Sequence, residues 1–117
     1  MADEPRTDDL LILQGTSDGF VIPVLDPDED PADLTDWTAR AQVRATRAST
    51  DILYEWSEAA GNVTVSGNEF TFTVAPEVSS AWAWRDGVYD VEAVKNTGEV
   101  VRLTQGTISV DAEVTRG

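Results

Sequence analysis

The stretch WTARAQVRAT, residues 37–46, limits the fold more than any other part of the chain. Trp37, Ala39, Ala41, Val43 and Ala45 take every second position, and Arg40, Gln42 and Arg44 stand between them. Successive side chains of a strand point to opposite faces, whereas a helical period of 3.6 would scatter both sets. DILYEW (51–56) repeats the alternation with Ile52, Tyr54 and Trp56, and EFTFTV (69–74) does so with Phe70, Phe72 and Val74 inward, Thr71 and Thr73 outward. Val63 and Val65 lead into 69–74 through Gly67-Asn68, a pair suited to a tight hairpin because both tolerate positive φ. GVYDVEAV (87–94) and EVVRLTQGTISV (99–110) predict a second hairpin turning at Lys95-Asn96-Thr97-Gly98.

Towards the amino terminus, LLILQ (10–14) and GFVIPVL (19–25) read as short strands separated by Gly15, Ser17, Asp18 and Gly19. Pro23 has no amide proton for a ladder, which predicts an edge strand or a bulge. Gly106 inside the last strand predicts a bulge or a close backbone approach. One helix is predicted over PEVSSAWAW (76–84), opened by Pro76. The sum is an all-β chain: an Ig-like antiparallel β-sandwich of about seven to eight strands with one short helix, or failing that a small barrel.

Charge divides the chain. Residues 1–36 hold eleven acids and one base, Arg6, while residues 37–117 hold eleven acids and seven bases, for a net charge of −14. An acidic arm (1–9) is thus expected ahead of a sandwich domain (10–117), with a second acidic segment, DPDEDPADLTD (26–36), as a loop. Such a charge repels phosphate backbones and anionic membrane surfaces, so neither nucleic acid nor membrane is an expected partner. The chain has no Cys and no His, which removes thiolate metal sites, disulfides and the commonest general base. MADEPRTDDL lacks the basic and apolar regions of a secretory signal, so synthesis in a cytosol is expected.

Three stretches in this order, DLTDWTARAQVR (33–44), GVYDVEAV (87–94) and RLTQGTISVDAEVTR (102–116), resemble small β-sandwich modules of tailed bacteriophages. These modules are encoded near tail, baseplate and fibre genes and are similar to the N-terminal domain of upper baseplate proteins. The resemblance spans roughly residues 10–116, the size of one domain. It implies a virion structural role on the tail or capsid surface, without enzyme activity or cofactor. It also implies partners among other virion proteins and copies of the chain itself. Such modules often stand at the front of longer fibre proteins, so the chain is expected either to anchor a fibre or to act as a free-standing decoration.

The chemical candidates each have a plainer reading. Asp26, Asp28 and Asp30 have the first three spacings of a calcium loop, but Pro31 and Trp37 fill the positions where an EF-hand needs Gly and Glu. They stay calcium candidates only for a looser site that adds Glu29 or Asp33, and a solvated loop is the preferred reading. Asp90 and Glu92 are spaced for the outer face of a strand, where nothing raises one carboxyl above the other for glycoside hydrolysis. Ser79 and Ser80 lack a histidine to activate them, and Lys95 sits in a turn. Trp37 and Trp56 read as core. Trp82 and Trp84 are two apart, so in a helix they diverge, one capping the sandwich and the other, Trp84, free to anchor a partner or stack on a sugar.

The expected interaction residues are therefore Asp3, Glu4, Asp8 and Asp9 of the arm, Asp26, Asp28 and Asp30 of the loop, Trp84, and Arg40 and Arg44. The two arginines either form a surface ladder with Asp90 and Glu92 or receive the acidic arm of another copy. The expected function is a minor tail or tail-tip/baseplate component. A capsid decoration protein is the alternative, and a carbohydrate- or ligand-binding module the alternative of another class.

Overall fold

The computed structural model describes residues 6–115. Asp3 and Glu4 lie outside the described residues. Among the described residues, nine strands and one short helix follow in the order β1 (Arg6–Thr7), β2 (Leu10–Leu13), β3 (Asp18–Pro23), β4 (Trp37–Arg44), β5 (Tyr54–Trp56), β6 (Val63–Ser66), β7 (Glu69–Val74), α1 (Pro76–Ser80), β8 (Asp86–Lys95) and β9 (Val100–Asp111). They form two sheets: a larger one ordered β1-β9-β8-β4-β5, with β2 also on β9, and a smaller one ordered β3-β7-β6. This is the all-β, Ig-like sandwich that the alternation implies.

Sequence and structure agree best where a hairpin links two strands. Gly67 takes a φ of 58° while Asn68 does not become positive, so a Gly-first turn joins β6 to β7. The β8–β9 turn closes with Lys95 N–H to the Glu99 carbonyl at 2.8 Å and Gly98 N–H to the Lys95 carbonyl at 2.8 Å. Pro23 ends β3, which is an edge strand paired with β7.

The two amino-terminal strands, β2 and β3, are consecutive but belong to different sheets, because residues 14–17 carry the chain across the sandwich. Of the two roles expected of Gly106, the close backbone approach is the one found: a Cβ there would stand 2.0 Å from the Asp8 carbonyl oxygen. The bulge in β9 lies at Leu103, since Val91 faces Thr104 while Glu92 faces Arg102. One expectation is corrected: α1 stops at Ser80 rather than at residue 84, and residues 82–85 belong to no helix or strand.

The boundary expected between an arm and a domain at residue 9 falls inside one parallel register along β9, running from Arg6 opposite Thr104 to Leu13 opposite Asp111. Asp8 N–H donates to the Gln105 carbonyl at 2.9 Å, and the buried Tyr89 hydroxyl donates to the Asp8 carbonyl at 2.7 Å. Sequence pattern misses β1 because Arg6, Thr7, Asp8 and Asp9 are all exposed and carry no apolar alternation.

Between the sheets, Trp56, Phe70, Phe72, Val43, Val91 and Ile108 are wholly buried. Each such side chain contributes about 1.5–3 kcal/mol by leaving water. Phe20 stacks on Phe72 with centroids 4.7 Å apart and meets Trp56 edge-on at 5.3 Å. The Trp56 indole N–H donates to the Thr73 carbonyl at 3.0 Å, tying β5 in one sheet to β7 in the other. At one end, Gln14 donates to the carbonyls of Ser79 (3.1 Å) and Trp82 (3.3 Å) and accepts from Glu113 N–H (3.2 Å), locking α1 against the chain ends. No helix among the described residues is long and apolar enough to cross a membrane.

Candidate functional site

Alternation sends one set of β4, β8 and β9 side chains into the core and the other to the outer face of the larger sheet. That face collects Arg40, Gln42 and Arg44 from β4, Asp90 and Glu92 from β8, and Arg102 and Gln105 from β9, in adjoining registers. Arg40 donates to Glu92 at 3.0 Å, the ladder contact expected of it. Arg102 pairs with Asp90 at 3.6 Å and donates to Gln105 at 3.3 Å. Both pairs are solvent-facing, so each contributes at most about 1 kcal/mol. Asp90 and Glu92, the two carboxylates spaced for acid–base work, are thus each held by an arginine.

Arg44 differs. Its guanidinium donates to the Ser49 carbonyl at 2.8 Å and to the Gln42 side-chain oxygen at 2.9 Å, both neutral acceptors. Arg47, from the loop after β4, is exposed. Neither makes an ion pair with a described residue. Arg44, Arg47 and Arg102 line one shallow concavity of about 220 Å³ together with Gln42 and Asp90. Three guanidiniums therefore face one carboxylate on a chain of net charge −14. Sequence reasoning does not single out Arg47 or Arg102. The pairing of β4 with β8 and of β8 with β9, visible as alternation, is the signal that could place Arg102.

The remaining candidates are dispersed. The Asp9 carboxylate accepts from the Thr107 hydroxyl (2.8 Å) and amide (3.2 Å), and these bonds hold its carboxyl below the usual aspartate value. The Thr104 hydroxyl stands between the Asp8 carboxylate (3.0 Å) and the Arg6 carbonyl (3.2 Å) and donates to one at a time. Burial above all pushes the Tyr89 phenol above its usual value. Asp8 and Asp9 are thus engaged with β9 of their own chain rather than extended as an arm.

Asp26, Asp28 and Asp30 do not converge. One Asp26 oxygen accepts from the amides of Asp28 (2.9 Å) and Asp30 (3.0 Å), so it closes its own turn. No cluster of three metal-binding side chains forms among the described residues. Asp33 likewise accepts from the Thr35 hydroxyl (2.7 Å) and amide (2.9 Å), which lower its carboxyl.

Trp84 is not a free anchor. It is half-buried, and its ring lies 4.7 Å from that of buried Trp82 at an interplanar angle of 31°. The divergence expected of positions two apart holds for a helix; α1 ends at Ser80, and beyond it the two indoles pack together. Ser79, the serine without an activating histidine, is wholly buried and accepts from Gly15 N–H at 2.8 Å.

No protein-family profile matches the chain, and no curated protein matches it. Among solved structures it is similar to Drosophila OTK, extracellular domains 3–5, at 13% identity and a TM-score of 0.37. That match covers 87% of this chain and 32% of the Drosophila chain, so this chain spans about a third of it.

Proposed function

We propose that this chain is a non-enzymatic structural subunit of a tailed-bacteriophage virion, a minor tail or tail-tip/baseplate component that works through subunit contacts. One observation carries the reading: an acid-rich domain keeps two arginines, Arg44 and Arg47, out of ion pairs with its own described residues and sets them in a surface concavity. A charged group left without an opposite charge on its own surface is available to a neighbouring molecule. The phage resemblance adds support, since its three stretches include β4 and most of β8 and β9, the adjacent strands that build this face.

Quantitative mass spectrometry of purified particles tests the proposal. Recovery of the chain at a fixed copy number per particle supports it. A ring-sized number favours the tail, and a number matching the capsid lattice favours the decoration alternative. Absence from purified particles overturns both. The carbohydrate-binding alternative is the less supported reading, because Trp84 is half-buried and packs one face against Trp82.

A further inference from the structure

We propose that the concavity of Arg44, Arg47 and Arg102 receives the acidic loop, residues 26–36, of a second copy of this chain, joining copies head to tail. The inference deepens the assembly reading above and rests on it. The concavity needs carboxylates: three guanidiniums line it with Asp90 as their one acid, and neutral acceptors hold the Arg44 guanidinium in place. A fixed, planar cation with N–H groups to spare is suited to a paired carboxylate contact.

The amino-terminal acids cannot fill this role from their described part, because Asp8 and Asp9 are bonded to Thr104 and Thr107 of β9. The loop can. Asp28, Glu29, Asp30, Asp33 and Asp36 are exposed, and none makes an ion pair with a described residue. Their backbone is held by the Asp26 turn and by the bridge between Leu25 and Pro31, so little freedom is lost on docking.

Position makes the contact intermolecular. The loop ends at Asp36, directly before the first residue of β4, and Arg44 is the last residue of that strand. The eight-residue strand separates them by about 26 Å at the usual rise. A chain cannot bring its own loop to its own concavity, but two copies in line can bring the loop of one to the concavity of the next. Two different surfaces in one contact generate a ring or an open filament rather than a closed pair. The net charge of each copy opposes approach at long range, but physiological salt screens charges beyond about 8 Å and leaves the local pairing in place.

Sedimentation velocity on the full chain tests this, at physiological salt and up to about 1 mM protein. The wild type is expected to grow in mass with concentration. Arg44→Glu/Arg47→Glu and Asp28→Arg/Asp30→Arg are each expected to remain monomeric, with circular dichroism confirming the fold. An equimolar mixture of the two variants is expected to associate again, because each contact then pairs opposite charges. A wild type that stays monomeric, or variants that the mixture does not rescue, would overturn the contact. So would binding of inorganic phosphate to the concavity with no self-association. Each of these leaves the virion reading standing or falling on particle composition alone.

Discussion

Replacing Gly106 by alanine probes how the amino-terminal segment is seated on β9. The added Cβ would lie 2.0 Å from the Asp8 carbonyl oxygen and 2.9 Å from its carbon. Both are backbone atoms, so no change of rotamer relieves the clash. Ordinary contact begins at 3.4 Å, so the two backbones must separate by about 1.4 Å, the difference between 3.4 and 2.0. That movement takes the Asp8–Gln105 bond, now 2.9 Å, and the Tyr89–Asp8 bond, now 2.7 Å, out of hydrogen-bonding range. At about 1 kcal/mol net for each bond, the loss is about 2 kcal/mol. In a domain of this size such a loss changes the folded-to-unfolded ratio by roughly 30-fold. Urea unfolding followed by far-ultraviolet circular dichroism should show a lower midpoint at an unchanged slope, and the Asp8 amide should exchange with solvent correspondingly faster. A variant with the wild-type midpoint and a fully protected Asp8 amide would refute the reasoning and remove β1 from the sheet.

Other outcomes follow from the packing and the titrating groups. Trp56→Ala empties the centre of the core and should cost about 3–5 kcal/mol, measured by the same urea titration. The Trp84 indole nitrogen is buried with no acceptor among the described residues, so Trp84→Phe should change stability by less than about 1 kcal/mol, the lost ring area being offset by removal of an unmet donor. A loss above about 2 kcal/mol would show that the nitrogen has a partner. Because folding lowers the Asp9 carboxyl, its stabilising contribution is present above the usual aspartate value and fades as pH falls through the lowered one. Thr107→Val removes the hydroxyl donor, so carbon-13 titration of the Asp9 carboxyl should show it rising towards the usual value.

Alternation makes the body of the fold legible. Ala39, Ala41 and Val43, or Phe70, Phe72 and Val74, identify a buried face because each apolar series is interleaved with polar neighbours. It is silent where the chain is held by polar atoms instead. Residues 6–9 read as a free arm because their attachment runs through backbone groups and through Tyr89, Thr104 and Thr107, which lie 81 to 98 positions away. The directions of Trp82 and Trp84 depend on where α1 ends, and the sequence at Ser80 and Ala81 offers neither Gly nor Pro to mark that end. At the candidate site, Arg40 and Arg44 are legible from one strand. The concavity that Arg44 shares with Arg47 and Arg102 needs the register of three strands and a loop.

Leu10 pairs with Ile108, so the first and last segments of the sandwich are neighbours although 98 positions separate them. Closing so long a stretch of chain costs entropy before the contact stabilises anything, which places this topology among slow folders, on the order of milliseconds to seconds. Among the described strands, β9 is also the sole partner of β1 and β2 and one of two partners of β8. While the chain is being synthesised, three strands thus wait for the last one to emerge, and a polypeptide released before β9 is complete would expose the edge of β8 to other chains.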